Sequence, residues 1–390
     1  MTLDKLKIAV IFGGPSQEHD VSVVSAQQLM DAADIRRMDI VPVYMNFEGR
    51  FFHGTTLRRL EGYRPSPPGL REIVFSWDDQ GPCLRSSDTD WRCSIDCALP
   101  VFHGPFGEDG RIQGMLEIAG IPTTGFSATN SAIAMRKDAT KSLVASAGVN
   151  VLPHVVVHAN QLANIRSVAE RVEQRLAYPV IVKPANLGSS IGVGLARNRD
   201  TLMVHLQGAL REDTFALVEP QVQHLEELNI AVMYRDGRTL FSAIERPKSS
   251  AELLDFREKY LSQAGNRGGQ SKLGTTIVPS QGMLSLTRDI NPNLDEGIKG
   301  RLYDYAEKAF SILGQRGAPR MDFMHDTASG ELWFNEINPI PGSYGFFLWE
   351  AAEHRVLFPE LISHLVEEAL ADSLKEFDDP VPQTAYLLPR

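Results

Sequence analysis

The chain has 390 residues, of which 43% are hydrophobic and 23% are charged. These values are typical of folded globular proteins and exclude a mainly disordered, fibrous or membrane-embedded chain. The 39 Lys and Arg residues against 49 Asp and Glu residues give a net charge of -10, which offers no electrostatic footprint for nucleic acid. Three cysteines cannot form a disulfide framework, so we expect free thiols.

The N-terminal segment carries no recognisable targeting signal. Its apolar run, Ile8–Phe12, is too short for the core of a signal peptide or for a membrane span. No window of about 18 uncharged apolar residues occurs elsewhere. The sequence therefore predicts a cytoplasmic protein with no membrane partner.

The first third of the chain alternates between predicted strands and a helix. Apolar runs predict strands at 7–12, 40–44 and 97–102, and the spacing of Val, Leu and Met predicts a helix at 22–33. Strands separated by helices indicate a parallel sheet covered by helices. Residues 61–95 are rich in proline and turn residues, and we expect irregular structure there.

The remaining two thirds mix strands and helices. Strands are predicted at 155–157, 180–183, 215–218, 228–233, 239–244, 320–324 and 331–337, and helices at 131–146, 159–176, 296–313 and 356–372. Residues 247–280 are polar and contain four glycines. A loop of this length in a compact protein is typical of a disordered segment or of a lid over a functional site.

Two carboxylates and an amide form the strongest chemical pattern. Glu336 and Asn338 are two residues apart on a predicted strand, so their side chains point to the same side. Asp322 ends the preceding strand, and a short turn brings it alongside. These hard oxygen ligands suit Mg²⁺ that bridges nucleotide phosphates. The alternative is a solvated acidic pair at a strand edge.

Lys183 ends an apolar strand and is followed by a loop of small residues that includes Gly188, Ser189, Ser190 and Gly192. A cation, hydroxyl groups and accessible backbone N–H groups are the parts that hold a polyphosphate. The pattern is neither a Walker A loop nor a GxGxxG dinucleotide loop. An ordinary glycine turn is the alternative.

Two further polar segments follow strands of the N-terminal unit, namely Gly13–His19 and His103–Gly110. Open α/β sheets place ligands at the carboxyl ends of their strands. His103 could instead be a structural hydrogen-bonding residue, and Glu18 could serve only to place a negative charge at the start of the next helix.

Taken together, eight segments resemble the D-alanine–D-alanine ligases, which are ATP-grasp enzymes. In chain order they are GGPSQEHDVS (13–22), HGPFGEDGRIQGMLE (103–117), IPTTG (121–125), MRKDATK (135–141), VIVKPANLGSSIGV (180–193), DFREKY (255–260), RMDF (320–323) and NEINPIPG (335–342). The resemblance runs through nearly the whole chain, from about residue 7 to residue 342.

The resemblance implies an α/β (α+β ATP-grasp) fold with three domains. They are an N-terminal parallel α/β substrate domain (1–126), a small central α+β domain (127–219), and a C-terminal α+β domain with an antiparallel sheet (220–390). ATP would lie between the central and C-terminal domains, and the loop 247–280 would close over the site. It also implies a homodimer.

The resemblance assigns roles residue by residue. The ATP phosphates would be bound by Lys137, Lys183, Ser190 and Lys259, and the adenine and ribose by Glu219 and Glu227. Two Mg²⁺ ions, replaceable by Mn²⁺, would be bound by Asp322, Glu336 and Asn338. The first amino acid would be surrounded by Glu18, His103, Ser189 and Tyr260. The tetrahedral state would be stabilised by Arg320 and the Gly342 backbone.

The implied reaction converts an amino-acid carboxylate, with D-alanine as the expected donor, to an acyl phosphate that a second amino acid attacks. D-Alanine is the default acceptor, which would give a cell-wall precursor. The alternative is a related dipeptide or depsipeptide ligase with another acceptor, in secondary metabolism or antibiotic resistance. A different ATP-grasp chemistry and a non-catalytic nucleotide-binding regulator are further readings, which the N-terminal motifs and the intact lysines and metal ligands disfavour.

The acceptor side departs from the family pattern. Phe347 stands where the family has a serine that helps to bind the carboxylate of the second substrate, and Leu348 matches the neighbouring position. An aromatic ring offers that carboxylate no hydrogen bond, and the loss of a charge-assisted bond costs about 1.5–3 kcal/mol. The segment either lines an altered acceptor pocket or only packs against the core.

Overall fold

The computed structural model describes residues 5–60, 63, 69–188, 191–248 and 288–373. Five predicted features therefore lie wholly or almost wholly outside the described residues: Ser189, Ser190, Lys259, Tyr260 and the lid loop 247–280. Their assigned roles stay predictions.

The described chain forms the following strands: β1 Leu6–Gly13, β2 Met38–Met45, β3 Phe51–His53, β4 Arg71–Asp78, β5 Gly81–Ser86, β6 Arg92–Ser94, β7 Cys97–Pro100, β8 Val155–His158, β9 Val180–Pro184, β10 Gly194–Ala196, β11 Phe215–Pro220, β12 Leu225–Arg235, β13 Arg238–Phe241, β14 Glu245–Pro247, β15 Arg288–Ile290, β16 Arg320–Asp326 and β17 Leu332–Asn338. Its helices are α1 His19–Ala32, α2 Arg111–Ile118, α3 Ala128–Met135, α4 Lys137–Ser146, α5 Ile165–Glu173, α6 Arg199–Glu212, α7 Glu296–Ile312, α8 Phe346–Glu350 and α9 Phe358–Ser373.

The first sheet has the order β6-β5-β4-β3-β2-β1-β7 within the described residues. β1 is parallel to both β2 and β7, and its apolar run is fully buried, as expected for a strand covered on both faces. The other pairs are antiparallel. The expectation of irregular structure at 61–95 is therefore wrong for β4, β5 and β6. These strands are half exposed and lack the continuous apolar run that marks a buried strand.

The second sheet, β10-β9-β11-β8, is antiparallel and carries α5 and α6. Its hydrophobic core is formed by residues of the central segment itself, from Val155 to Val218. α6 begins at a capping box in which the Asn198 side chain accepts from the Thr201 backbone N–H. This sheet therefore has a hydrophobic core of its own.

The third sheet has the order β15-β14-β12-β16-β17, with β13 paired to β12. Its core also includes residues of α3 and α4, such as Ala134 and Val144. These two helices, which the sequence-based boundary at residue 127 assigns to the central domain, thus pack on the C-terminal sheet. A further cluster joins β1, α1 and β7 of the first sheet to α9.

Across the part of the chain that the structure describes, no helix has the length and apolar character needed to cross a bilayer.

Candidate active site at the meeting of the three domains

The predicted metal ligands lie on one face of the third sheet. Asp322 is directly opposite Glu336, and Arg320 is directly opposite Asn338, in the β16–β17 pair. A register shift between Asp322 and Phe323 leaves Asn335 as an extra residue in β17. The bulge keeps the apolar residues of β17 in the core both before and after it, while the polar residues of the strand face the site.

Arg320 and Asp322 bind each other. The arginine Nε and Nη2 atoms lie 2.7 and 2.8 Å from the two carboxylate oxygens, in a bidentate pair. The sequence assigned these residues to two different roles, the tetrahedral state and the metal. The structure places the two groups in direct contact, and their separate roles stay predictions.

The donor set fits a hard divalent cation. Within the described chain, Asn338 Oδ1 is buried and accepts no hydrogen bond, which is costly unless a cation or donor satisfies it. Asp322 and Glu336 add two carboxylates on the same sheet face. The described residues contain no group of three or more His, Cys, Asp or Glu that could hold a metal, so the amide oxygen is needed to complete this set.

Three lysines approach these groups, and we call Lys137, Lys141 and Lys183 together with Glu219 the lysine cluster. Lys183 Nζ lies 2.6 Å from Glu219 Oε2 and donates to Asn335 Oδ1 at 2.9 Å. Lys137 Nζ lies 3.1 Å from Glu336 Oε2. The cluster thus joins α4, the central sheet and β17.

Lys137 also donates to the Leu187 carbonyl at 2.7 Å. This bond ties the first turn of α4 to the start of the glycine and serine loop. Lys137 and Lys183 therefore lie beside the loop that the sequence assigned to the phosphates, as the polyphosphate pattern requires.

Lys141 was not assigned a role by the sequence analysis. Its side chain is fully buried, and its Nζ lies 2.8 Å from Glu219 Oε1. Burial lowers the pKa of Lys141 to about 8, although Glu219 favours its charged form. The signal in the sequence was its spacing of four residues from Lys137, which puts both side chains on one face of α4.

Glu219 is buried between two ammonium groups. Burial alone would raise the pKa of this carboxyl, but Lys141 and Lys183 outweigh burial and lower the pKa to about 2. Its assigned contact with adenine stays a prediction. The observed pairing gives Glu219 a second task, which is to compensate two buried positive charges.

Glu227 lies on the face that carries Asp322, because Asn229 is directly opposite Asp322 and Glu227 is two residues before it. The adjacent Glu226 points to the other face, where its carboxylate contacts His325 Nδ1 at 2.8 Å. The assignment of Glu227 rather than Glu226 to the site is thus compatible with the strand alternation, and its ribose contact stays a prediction.

The N-terminal domain contributes Glu18, which is buried immediately before α1. Gly104 has a φ of +81°, and a Cβ at this residue would lie 2.8 Å from Glu18 Oε2. A Cβ at Gly188 would lie 3.6 Å from the same oxygen. The Glu18 carboxylate therefore sits between the loop after β7 and the loop after β9, and its close approach to Gly104 depends on glycine.

His103 and Glu108, which we call the neutral pair, lie nearby. His103 Nε2 is 3.0 Å from Ser25 Oγ, and burial lowers the pKa of the imidazole to about 4. Glu108 accepts hydrogen bonds from the backbone N–H groups of Gly104, at 2.6 Å, and Ile340, at 3.2 Å. Burial and the charge of Glu18 raise the pKa of Glu108 to about 8, so both groups are uncharged at neutral pH.

The segment after β17 adopts left-handed backbone conformations at Ser343 and Tyr344, with φ of 48° and 55°. The Tyr344 hydroxyl donates to the Pro100 carbonyl at 2.7 Å, and the Ser343 N–H donates to Ser25 Oγ at 3.2 Å. Gly342 precedes this turn. These bonds fix the segment to the N-terminal domain and offset the backbone strain.

The two predicted acceptor residues differ in exposure. Leu348 is fully buried, and its backbone carbonyl accepts from Ala243. Its side chain packs in the core and presents no surface. Phe347 is half-buried, and the Arg288 guanidinium lies 5.0 Å from its ring centroid. Phe347 thus remains a candidate for contact with substrate.

The sheet arrangement and the site define an ATP-grasp ligase. Among solved structures, the D-alanine-D-alanine ligase from Coxiella burnetii shares the fold with a TM-score of 0.77, at 24% identity over 95% of each chain. The VanG D-Ala:D-Ser ligase from Enterococcus faecalis matches with a TM-score of 0.73 and 26% identity, over 94% of this chain and 100% of that one.

The family models for the D-ala D-ala ligase N-terminus and C-terminus match residues 7–126 and 143–367. A D-alanine--D-alanine ligase from Synechococcus sp. (strain CC9605) is 33% identical over 95% of this chain and 99% of its own length. The chain therefore belongs to the D-alanine–D-alanine ligase family, and it is an ATP-dependent ligase that forms a peptide bond. The family works on small amino acids with ATP and Mg²⁺.

Proposed function

We propose that this protein activates the carboxylate of D-alanine with ATP and joins it to the amine of a second amino acid, with D-alanine as the default acceptor and a cell-wall precursor dipeptide as the product. The relatives that match nearly the full chain carry this activity in their names. The observation that carries the proposal is the convergence of the lysine cluster with Asp322, Glu336 and Asn338 on one sheet face.

Different residues would bind the phosphates, bind the donor amino acid and stabilise the oxyanion. A carboxylate resists attack by an amine, so it must first become an acyl phosphate, and Lys137 and Lys183 lie where they can bind the phosphates that supply the phosphoryl group. Glu18 lies where it can hold the donor amino group, and the Arg320 guanidinium can stabilise the oxyanion that develops when the acceptor attacks.

Asp322, Glu336 and Asn338 would hold two Mg²⁺ ions, with Mn²⁺ as an accepted replacement. When bound, the metal neutralises charge on the phosphate oxygens. The buried and unsatisfied Asn338 oxygen, within the described residues, supports this assignment. We also propose a homodimer, which sedimentation of the purified chain would test.

A related ligase with another acceptor is a second candidate. Phe347 and Arg288 form a contact at the place where the family has a serine. The VanG structure belongs to a ligase named for D-Ser, which supports variation of the acceptor within this fold.

The test is ADP release with ATP, Mg²⁺ and D-alanine, with the product identified by mass. We expect D-alanyl-D-alanine from the wild-type chain and a loss of about 100-fold or more in Asp322→Asn, because a metal ligand is removed. Asp304→Asn, an exposed aspartate paired with Lys308 on α7, is the matched control and should retain activity. Absence of ADP release with any D-amino acid would contradict the proposal.

A further inference from the structure

A row of polar residues crosses the third sheet from the metal ligands toward its far edge. Glu336, Asp322, Asn229 and Glu245 are directly opposite one another on β17, β16, β12 and β14. Residues that face each other in an antiparallel sheet lie on the same side. The row therefore lies on the site face, and Asn229 and Glu245 are both buried in it.

Arg288 stands at the end of this row. It is two residues from Ile290, which is directly opposite Glu245, so it also belongs to the site face. Arg288 Nη1 lies 2.7 Å from Glu245 Oε1, and Glu245 Oε2 accepts from Asn229 Nδ2 at 3.3 Å. The guanidinium is thus held on one side by a buried carboxylate.

The other contacts of Arg288 leave its Nε–H group without an acceptor among the described residues. Its guanidinium carbon lies 5.0 Å from the centroid of the Phe347 ring, within cation–π range. Among the described residues, its Nε atom is buried and has no hydrogen-bond partner. A buried N–H without an acceptor is costly, and a guanidinium with a free edge matches the geometry of a carboxylate.

The position of Arg288 fits the far end of an acceptor. Three strand spacings of about 4.8 Å separate the backbones of β16 and β15. The separation of these backbones is about 14 Å. The long Arg288 side chain and an acceptor amino acid can span it together, with the acceptor amine near Arg320 and Asp322 and its carboxylate at Arg288. The lysine cluster instead approaches from the β17 side, so the lysine cluster and Arg288 lie at opposite ends of the row.

We propose that Arg288, held by Glu245 and faced by Phe347, binds the carboxylate of the acceptor amino acid and so sets which acceptors this ligase takes. This inference rests on the proposed ligase function and names the acceptor class as amino acids with a free carboxylate. Arg288 thereby supplies the hydrogen bonds that Phe347 cannot give.

The test is a competition between D-alanine and D-alaninamide as acceptors in one reaction, with the two products separated by mass. The product ratio gives the ratio of kcat/KM values, and the donor step is common to both. We expect wild type to prefer the carboxylate by about 10- to 100-fold, which is the value of a charge-assisted bond. Arg288→Met should reduce this preference to within about threefold.

Arg288→Met leaves the buried Glu245 unpaired and could destabilise the chain, so Arg288→Gln with Glu245→Gln keeps the pair neutral and hydrogen-bonded. This double variant should lose the preference equally. Arg246→Met is the control, because Arg246 lies next to Glu245 on β14 but pairs with Glu226 and Asp289.

An unchanged product ratio in both Arg288 variants would overturn the inference and show that Arg288 only neutralises Glu245. A wild-type chain that makes neither product from any D-amino acid would overturn the proposed function and the inference together. The two failures are therefore distinguished by the wild-type reaction.

Discussion

The lysine cluster and the neutral pair bury ionisable groups to a similar degree but hold them in opposite charge states. In the cluster, Glu219 stays ionised because Lys141 and Lys183 surround it. In the pair, burial removes the charge of both His103 and Glu108. Burial alone favours the uncharged form, so a charge persists only where an opposite charge arrives from another element.

The difference has a structural origin. Lys141 comes from α4, whereas Lys183 and Glu219 come from neighbouring strands β9 and β11 of the central sheet. The cluster therefore forms only when α4 docks against the central sheet. The neutral pair needs no partner charge, because backbone N–H groups and a serine hydroxyl satisfy it. The charged region thus needs an opposite charge from another element, whereas the uncharged region needs only hydrogen-bond partners, one of which, the Ile340 N–H, comes from the segment after β17.

The largest expected effect follows from removing the negative charge of the cluster. Glu219→Met leaves two buried ammonium groups without compensation, so the free energy of unfolding should fall by about 3–5 kcal/mol. Urea denaturation measures this change. Glu331→Met, at an exposed glutamate, is the control and should change stability by less than about 0.5 kcal/mol. Equal stability of Glu219→Met and wild type would show that the lysines do not need this carboxylate.

The neutral pair predicts a pH dependence of stability. Glu108 has a folded pKa of about 8, raised above its ordinary value of 4.5, so its stabilisation is present at low pH and is lost as the pH rises toward 8. His103 has the opposite effect on stability: its contribution increases as the pH rises from its folded pKa of about 4 to its ordinary value of 6.5. From pH 6.5 to 8, Glu108 alone of the pair contributes, and stability should fall by about 2 kcal/mol.

Denaturation of wild type and Glu108→Gln at pH 6.5 and 8 tests this prediction. Glutamine cannot ionise, so Glu108→Gln should lose the fall in unfolding free energy between pH 6.5 and 8. Glu48→Gln, at an exposed residue, should keep that fall. If wild type and Glu108→Gln show the same slope, Glu108 is already ionised at pH 6.5 and the contrast between the two regions fails.

The smallest effect concerns the hydroxyl group that supports the neutral pair. Ser25 contacts His103 Nε2 and accepts from the Ser343 N–H, so Ser25→Ala leaves two buried polar groups short of a partner. We expect a loss of about 1–2 kcal/mol in unfolding free energy. Ser142→Ala, on the exposed side of α4, should be neutral. A loss as large as that of Glu219→Met would mean that the uncharged region is no less sensitive than the charged one.

The sequence predicted best what lies on regular strands. Asp322, Glu336 and Asn338 could be placed on one face because side chains alternate along a strand, and the register confirms their shared face. The strand followed by a loop of small residues pointed to Lys183, and the family resemblance added Lys137. The fold class followed from the strand and helix pattern together with the same resemblance, and the related structures confirm it.

What the sequence missed depends on contacts between distant segments. Arg288 meets Glu245 through the β14–β15 pair, and no local pattern announces that pairing. Lys141 was part of a quoted motif, but its role depends on Glu219, which lies on β11 of the central sheet. The strands at 71–94 escaped notice because antiparallel strands with one exposed face contain few consecutive apolar residues.

The hydrophobic cluster that unites β1, α1 and β7 with α9 has a mechanical consequence. Separation of the first and third sheets would expose a shared apolar core, whereas the central sheet has a core of its own. Its links to the rest include polar contacts such as the hydrogen bond from Lys137 to the Leu187 carbonyl and the ion pair between Lys141 and Glu219. Rotation of the central sheet against the other two would therefore break mainly polar contacts, whereas separation of the first and third sheets would break a shared apolar core.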